Sequence, residues 1–222
     1  MGEEGWLSER AARRTAGVAM SLLAGCWLAG WAVSRLGSSP GIPLDQAART
    51  LGAGRLPVLD ELADFLAMIG GEPLSVVLAV AIGIVVLLWR GLAEALAFGV
   101  ASALSSGQVI LLKSVVERPG PTVAFYEGLG SFPSGHVANA AVMAVFGGLL
   151  AGRRWAWGLG AGYVALMAVC RVVSGAHWFT DTIAGGAEGV GVALLVWSAA
   201  SAARVRFRRP GSRRGSSPPD RP

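Results

Sequence analysis

Ser131-Phe132-Pro133-Ser134-Gly135-His136 opens a stretch that closes on Arg171-x5-His177-x3-Asp181. Between these polar ends lie two apolar runs, 134–152 and 155–173, parted by Arg153-Arg154. A bilayer core takes about 20 mostly apolar residues per helix, so the stretch reads as a pair of membrane helices. Both histidines of the chain lie in it, and the single lysine, Lys113, stands just upstream. A lone histidine at a membrane edge is usually an inert interfacial residue. Two of them, with Ser, Gly, Arg and Asp at fixed offsets, point to one functional site.

The rest of the chain supports a membrane reading. Of 222 residues, 15% are charged and 53% hydrophobic, against about 25% charged in soluble domains. Apolar runs at 16–33, 73–89, 92–116 and 181–203 join the first two. The expectation is an all-α polytopic bundle of six spans, residues 16–203, after a polar segment, 1–15. A cleavable signal peptide competes for the first run, but about 18 apolar residues exceed the usual 7–15 of a signal core. Residues 34–72 form a long outer connection. Within it Val58, Leu62, Phe65, Leu66 and Ile69 recur at helical spacing opposite Asp60, Glu61 and Asp64, which predicts a short amphipathic helix, on the membrane surface or packed on the bundle. Ser102, Ser105, Ser106 and Gln108 in the third run predict a helix facing the bundle interior. Gly185, Gly186, Gly189 and Gly191 predict close packing of the sixth. Residues 204–222 read as a basic, disordered tail.

The charges sort by side. The N-terminal segment, Arg90, Arg153-Arg154 and the tail hold 13 of the 19 basic residues. The positive-inside rule puts these in the cytoplasm of a plasma-membrane protein, with both termini inside. Lys113, Arg118, Ser134, His136, Arg171, His177 and Asp181 then share the outer face. The basicity belongs largely to the tail and gives no argument for a nucleic-acid partner. Cys26 and Cys170 sit in separate apolar runs, so no disulfide framework is expected.

The constellation suits an anion. Lys113, Arg118 and Arg171 are cationic donors. Ser134 follows Pro133 and opens a helix, whose N-terminal N–H groups and dipole favour negative charge. Gly135 allows close backbone approach. Together they form a cradle for a tetrahedral oxyanion such as phosphate. His177 and Asp181, four apart, share one helical face, where a carboxylate can fix the tautomer and raise the basicity of the imidazole. Such an imidazole is a nucleophile towards phosphorus, and His136 is a general acid for the leaving oxygen. Two His and one Asp could instead ligate a metal, but three cations in the same shell would repel it. A purely structural ion-pair cluster is the other rival, though burying so many charges is inefficient.

These residues resemble the type 2 phosphatidic acid phosphatase superfamily. Its signature has a Lys-x6-Arg-Pro segment, a Pro-Ser-Gly-His segment and a Ser-Arg-x5-His-x3-Asp segment. The second stands intact at Pro133-Ser134-Gly135-His136. The third matches at Arg171, His177 and Asp181, with Cys170 in place of Ser. The first departs: Gly120 holds the arginine position, and Arg118-Pro119 is the nearest Arg-Pro. The resemblance implies a phosphohistidine at His177, oriented by Asp181, with His136 protonating the leaving group. Lys113, Ser134, Gly135 and Arg171 would bind phosphate, with no metal and no cofactor, and Arg118 is expected to replace the missing arginine. The expected activity is hydrolysis of a lipid phosphate or pyrophosphate, such as undecaprenyl pyrophosphate, phosphatidate or phosphatidylglycerophosphate. The alternatives are a lipid phosphotransferase and a non-catalytic phospholipid-binding or transport relative.

Overall fold

The computed structural model describes residues 6–36, 42–52, 57–71, 73–122 and 130–208. Their regular structure is helical throughout: α1 (Glu9–Leu36), α2 (Pro43–Gly52), α3 (Pro57–Gly70), α4 (Leu74–Trp89), α5 (Leu92–Val116), α6 (Gly135–Ala151), α7 (Arg154–Val173) and α8 (Phe179–Arg208). Among the described residues, α1, α5, α7 and α8 are long and apolar enough to cross a membrane. The α3–α4 pair, bent by 67°, makes a fifth candidate. The expected fourth span, α6, is apolar but only 17 residues long. The protein is thus a multi-pass membrane protein, with four or five candidate spans by length and composition among the described residues.

Lipid contact explains the outward faces. α4 exposes Val76, Val80, Ile84 and Leu88 at i, i+4 spacing, an apolar stripe suited to hydrocarbon. With no water to drive helices together, packing in a bilayer favours small residues that let backbones approach. α8 uses Gly185 and Gly189 for this. A Cβ on Gly185 would fall on the Ser134 carbonyl oxygen, and one on Gly189 on that of Ala138. Gly191 turns instead to α1, where Leu23 and the Ala19 carbonyl leave no room for a methyl. Gly186 meets Val137 only at ordinary contact distance.

α5 also faces inward as expected. Ser105 is fully buried and donates to Glu188 Oε2 of α8 at 2.7 Å. This gives the one carboxylate within α8's apolar stretch a polar partner, which sequence alone does not supply. Near the start of the chain, Trp6 stacks on Trp197 at 4.3 Å between ring centroids. Phe146 meets Trp197 edge-on at 5.7 Å, and Trp6 Nε1 donates to Glu94 at 3.0 Å.

The first connection differs from expectation. It holds two helices, and α2 has no counterpart in the sequence reading. In α3 the buried residues are Ala63 and Leu66, packed with Val137, Ala140, Met167 and Cys170, while Phe65 is exposed. The described part of α3 therefore lies against α6 and α7 through a narrow seam, with Asp64 exposed. The side chains of Val58 and Asp60, and the tail from residue 209, lie outside the described residues. α1 begins seven residues before the expected run, its first turn carrying an Arg13–Glu9 pair at 3.0 Å.

Candidate active site

Two helix ends and two helix starts converge at one end of the bundle. Lys113 is in the last turn of α5, Arg171 in the last turn of α7 and Asp181 in the first turn of α8. Ser134 caps α6 by position, with Gly135 and His136 beginning the helix. α6 and α8 are fastened there by Ser134 N–H donating to the Asp181 carbonyl at 3.0 Å, beside the Gly185 contact. The two motif segments of the sequence are thus joined backbone to backbone.

His177 is buried in the turn before α8. Its Nδ1 lies 2.8 Å from the Ser131 carbonyl oxygen. A carbonyl can only accept, so Nδ1 carries the proton and the neutral ring has its lone pair on Nε2. Asp181 was expected to hold this nitrogen, but its Oδ2 stands 3.8 Å away. The reason is prior engagement. Oδ2 accepts from the Trp178 N–H at 3.0 Å, and Oδ1 takes Arg118 Nη1. Asp181 therefore acts on His177 as a nearby charge. Burial pushes the imidazole pKa down; Asp181 opposes this, and Lys113 and Arg171 add to it.

The cradle groups keep unused capacity. Ser134 has extended φ and ψ, but its hydroxyl makes no capping bond. Ser134 Oγ and Arg171 Nε are buried without a hydrogen-bond partner. A buried polar atom without a partner costs about 1–3 kcal/mol, a cost that an oxyanion would relieve. Lys113 Nζ donates to the Gly130 carbonyl at 2.7 Å, so one of its three protons is in use. His136 Nε2 donates to the Ala67 carbonyl at 3.1 Å. α3 closes over that ring so tightly that Gly70 could not carry a Cβ. Of the two places expected for this amphipathic helix, its described part takes the one packed on the bundle, as a wall of the site.

Arg118, expected as a phosphate ligand, is engaged by carboxylates. α5 ends at Val116, and Glu117 takes a left-handed conformation with φ 47°, which turns the chain before Arg118-Pro119. The freed side chain is then claimed by carboxylates. Nη2 meets Asp45 Oδ2 at 2.7 Å, and Nη1 meets both Asp181 Oδ1 and, at 2.7 Å, Thr180 Oγ1. Sequence reasoning missed Asp45, Thr180 and the Ser131 carbonyl.

Next to the site, a cavity of about 470 Å³ lies among α6, α7 and α8. Val137, Phe179 and Thr182 line it near the histidines, and Ala161, Ala165 and Trp157 continue it along α7. The lining is almost wholly apolar.

Two solved structures share this fold. A transmembrane PAP2 type phosphatidylglycerolphosphate phosphatase from Bacillus subtilis is 22% identical with a TM-score of 0.63, over 84% of this chain and 97% of that one. LpxE from Aquifex aeolicus is also 22% identical, with a TM-score of 0.56, over 68% of this chain and 92% of that one. No curated protein sequence matches significantly. The profile of the PAP2 superfamily matches residues 94–204, half of the chain and the half that carries Lys113, both histidines, Arg171 and Asp181. The chain belongs to the PAP2 superfamily.

Proposed function

We propose that the chain is an integral membrane phosphatase that hydrolyses a lipid phosphate or pyrophosphate through a phosphohistidine at His177, without a metal. One observation carries this reading: a buried imidazole keeps its lone pair on Nε2, at the same end of the bundle as the unpartnered Ser134 Oγ and Arg171 Nε. Attack of Nε2 on phosphorus forms a P–N bond as the bond to the leaving oxygen breaks. His136, protonated on both ring nitrogens at this stage, gives that oxygen a proton and becomes neutral. Water then attacks the phosphohistidine, His136 takes the water's proton, and phosphate is released. Lys113, Arg171, Ser134 and the first N–H groups of α6, with Gly135 leaving the approach open, neutralise the charge shared among the phosphoryl oxygens.

The apolar cavity beside the site supports a substrate with a hydrocarbon chain, reached from the bilayer. Family membership and the two phosphatase-type folds agree with this reading. The charge asymmetry of the connections supports a site on the outer face, six spans and cytoplasmic termini. The test is phosphate release in strong chelator from undecaprenyl pyrophosphate, phosphatidate, phosphatidylglycerophosphate and diacylglycerol pyrophosphate. Acid-labile label on His177 from a labelled substrate is the expected companion result. Transfer of the label to an added alcohol, with no free phosphate, would make it a transferase. Activity restored only by a divalent metal would reject the metal-free mechanism.

A further inference from the structure

Asp45 lies on α2, outside the residues that the family profile matches. It is 1% exposed. Its Oδ1 accepts from the Thr180 N–H at 2.8 Å, and its Oδ2 from Thr180 Oγ1 at 2.9 Å and Arg118 Nη2 at 2.7 Å. It therefore satisfies an orphan N–H in the first turn of α8 from a different helix, and it shares Arg118 with Asp181.

We propose that Asp45 is a positioning residue for the reaction: by drawing on Arg118 it leaves Asp181 a net negative charge beside His177. This rests on the phosphohistidine reading above. Arg118 bound to Asp181 alone would cancel the carboxylate that must stabilise the imidazole as it gains positive character. A second anion on the same guanidinium makes the trio net −1. The other charged or titratable groups acting on His177 are Lys113 and Arg171, with His136 across the site. Neither cation can supply this negative charge. Such a role also accounts for a buried Asp–Arg–Asp cluster that stability alone would not favour.

Charge counting gives opposite signs for two variants. Asp45→Asn takes the trio to neutral, Arg118→Met takes it to −2, and the double variant returns it to −1. Asn keeps an acceptor for the Thr180 N–H. Should it not fold, Asp45→Thr makes the same charge change. The readout is the His177 titration by NMR of the full-length, histidine-labelled protein in detergent. His136→Gln assigns the signals, because the chain has only two histidines. The midpoint should fall in Asp45→Asn, rise in Arg118→Met and return towards the wild-type value in the double variant. kcat in Asp45→Asn should drop about tenfold, the equivalent of one pKa unit, with KM little changed. An unmoved midpoint in Asp45→Asn, or a double variant no nearer wild type than Arg118→Met, overturns the proposal. The titration needs no substrate. Shifted midpoints in a protein that releases no phosphate from any lipid would keep the network and reject the phosphatase reading.

Discussion

The two ends of this bundle are closed by opposite chemistry. At the end where the chain starts, Trp6 stacks on Trp197, and Phe146 meets both Trp197 and Phe98 edge-on. At the other end, His177, Asp181, Arg118 and Asp45 are held by directed hydrogen bonds, three of them to backbone groups. Rings fill space and tolerate small shifts. Charged hydrogen bonds fix atoms to a few tenths of an ångström, but leave costs wherever a partner is lacking, as at Ser134 and Arg171. α5, α6 and α8 are therefore each built for cohesion towards one end and for chemistry at the other.

That division can be broken deliberately. The largest effect belongs to the polar end: His177→Ala should lower kcat by about three orders of magnitude or more, as nucleophile deletions do, while thermal unfolding in detergent moves little. A matching loss of folded protein would show that the site also holds the bundle together. At the aromatic end, Trp197→Ala should cost about 3–5 kcal/mol of stability. The kcat per folded molecule should stay near wild type, measured by active-site titration. A large fall in kcat would erase the division. Arg171→Ala comes next. A charged hydrogen bond is worth about 1.5–3 kcal/mol, so kcat/KM should drop roughly ten- to a hundred-fold, and inorganic phosphate should inhibit more weakly. Unchanged phosphate inhibition would remove Arg171 from the cradle. The smallest effect is the pH dependence. Because burial lowers the His177 pKa, the neutral nucleophile persists below pH ~6.5, the ordinary imidazole value. The acid limb of kcat/KM should lie under that value, and the stability given by the neutral ring should be lost as pH falls through the folded pKa. An acid limb above it would mean that Asp181 outweighs burial.

The sequence exposes what hydropathy and local spacing encode. Apolar runs place most of α1, α4, α5, α6, α7 and α8, and two motifs bring Ser134, His136, Arg171, His177 and Asp181 to one end. Three features escape it for physical reasons. The Ser131 carbonyl that fixes the His177 tautomer is a backbone group, and any residue at 131 could supply it. Asp45 looks like an ordinary acidic residue in the first turn of a ten-residue helix; its importance comes from contacts 73 and 135 residues away. Arg118 is visible as a shifted motif residue, but its partners are not, because Asp45, Thr180 and Asp181 lie 62 to 73 residues away and meet it only in space. Ser105 and Glu188 are each visible as polar residues in apolar runs, and only the fold makes them a pair.

The contact of Gly185 and Gly189 with the α6 backbone has an evolutionary meaning. Where two backbones touch, no side chain remains to be exchanged, so mutation has few ways of sliding one histidine-bearing segment past the other. The cavity beside them is walled on its third side by α7, through small residues such as Ala161, Ala165 and Ala168. Each of these can grow or change shape without disturbing the α6–α8 seam. Descendants of such a chain can therefore diversify the hydrocarbon they accept along one helix, while the reaction they perform is inherited unchanged on the other two.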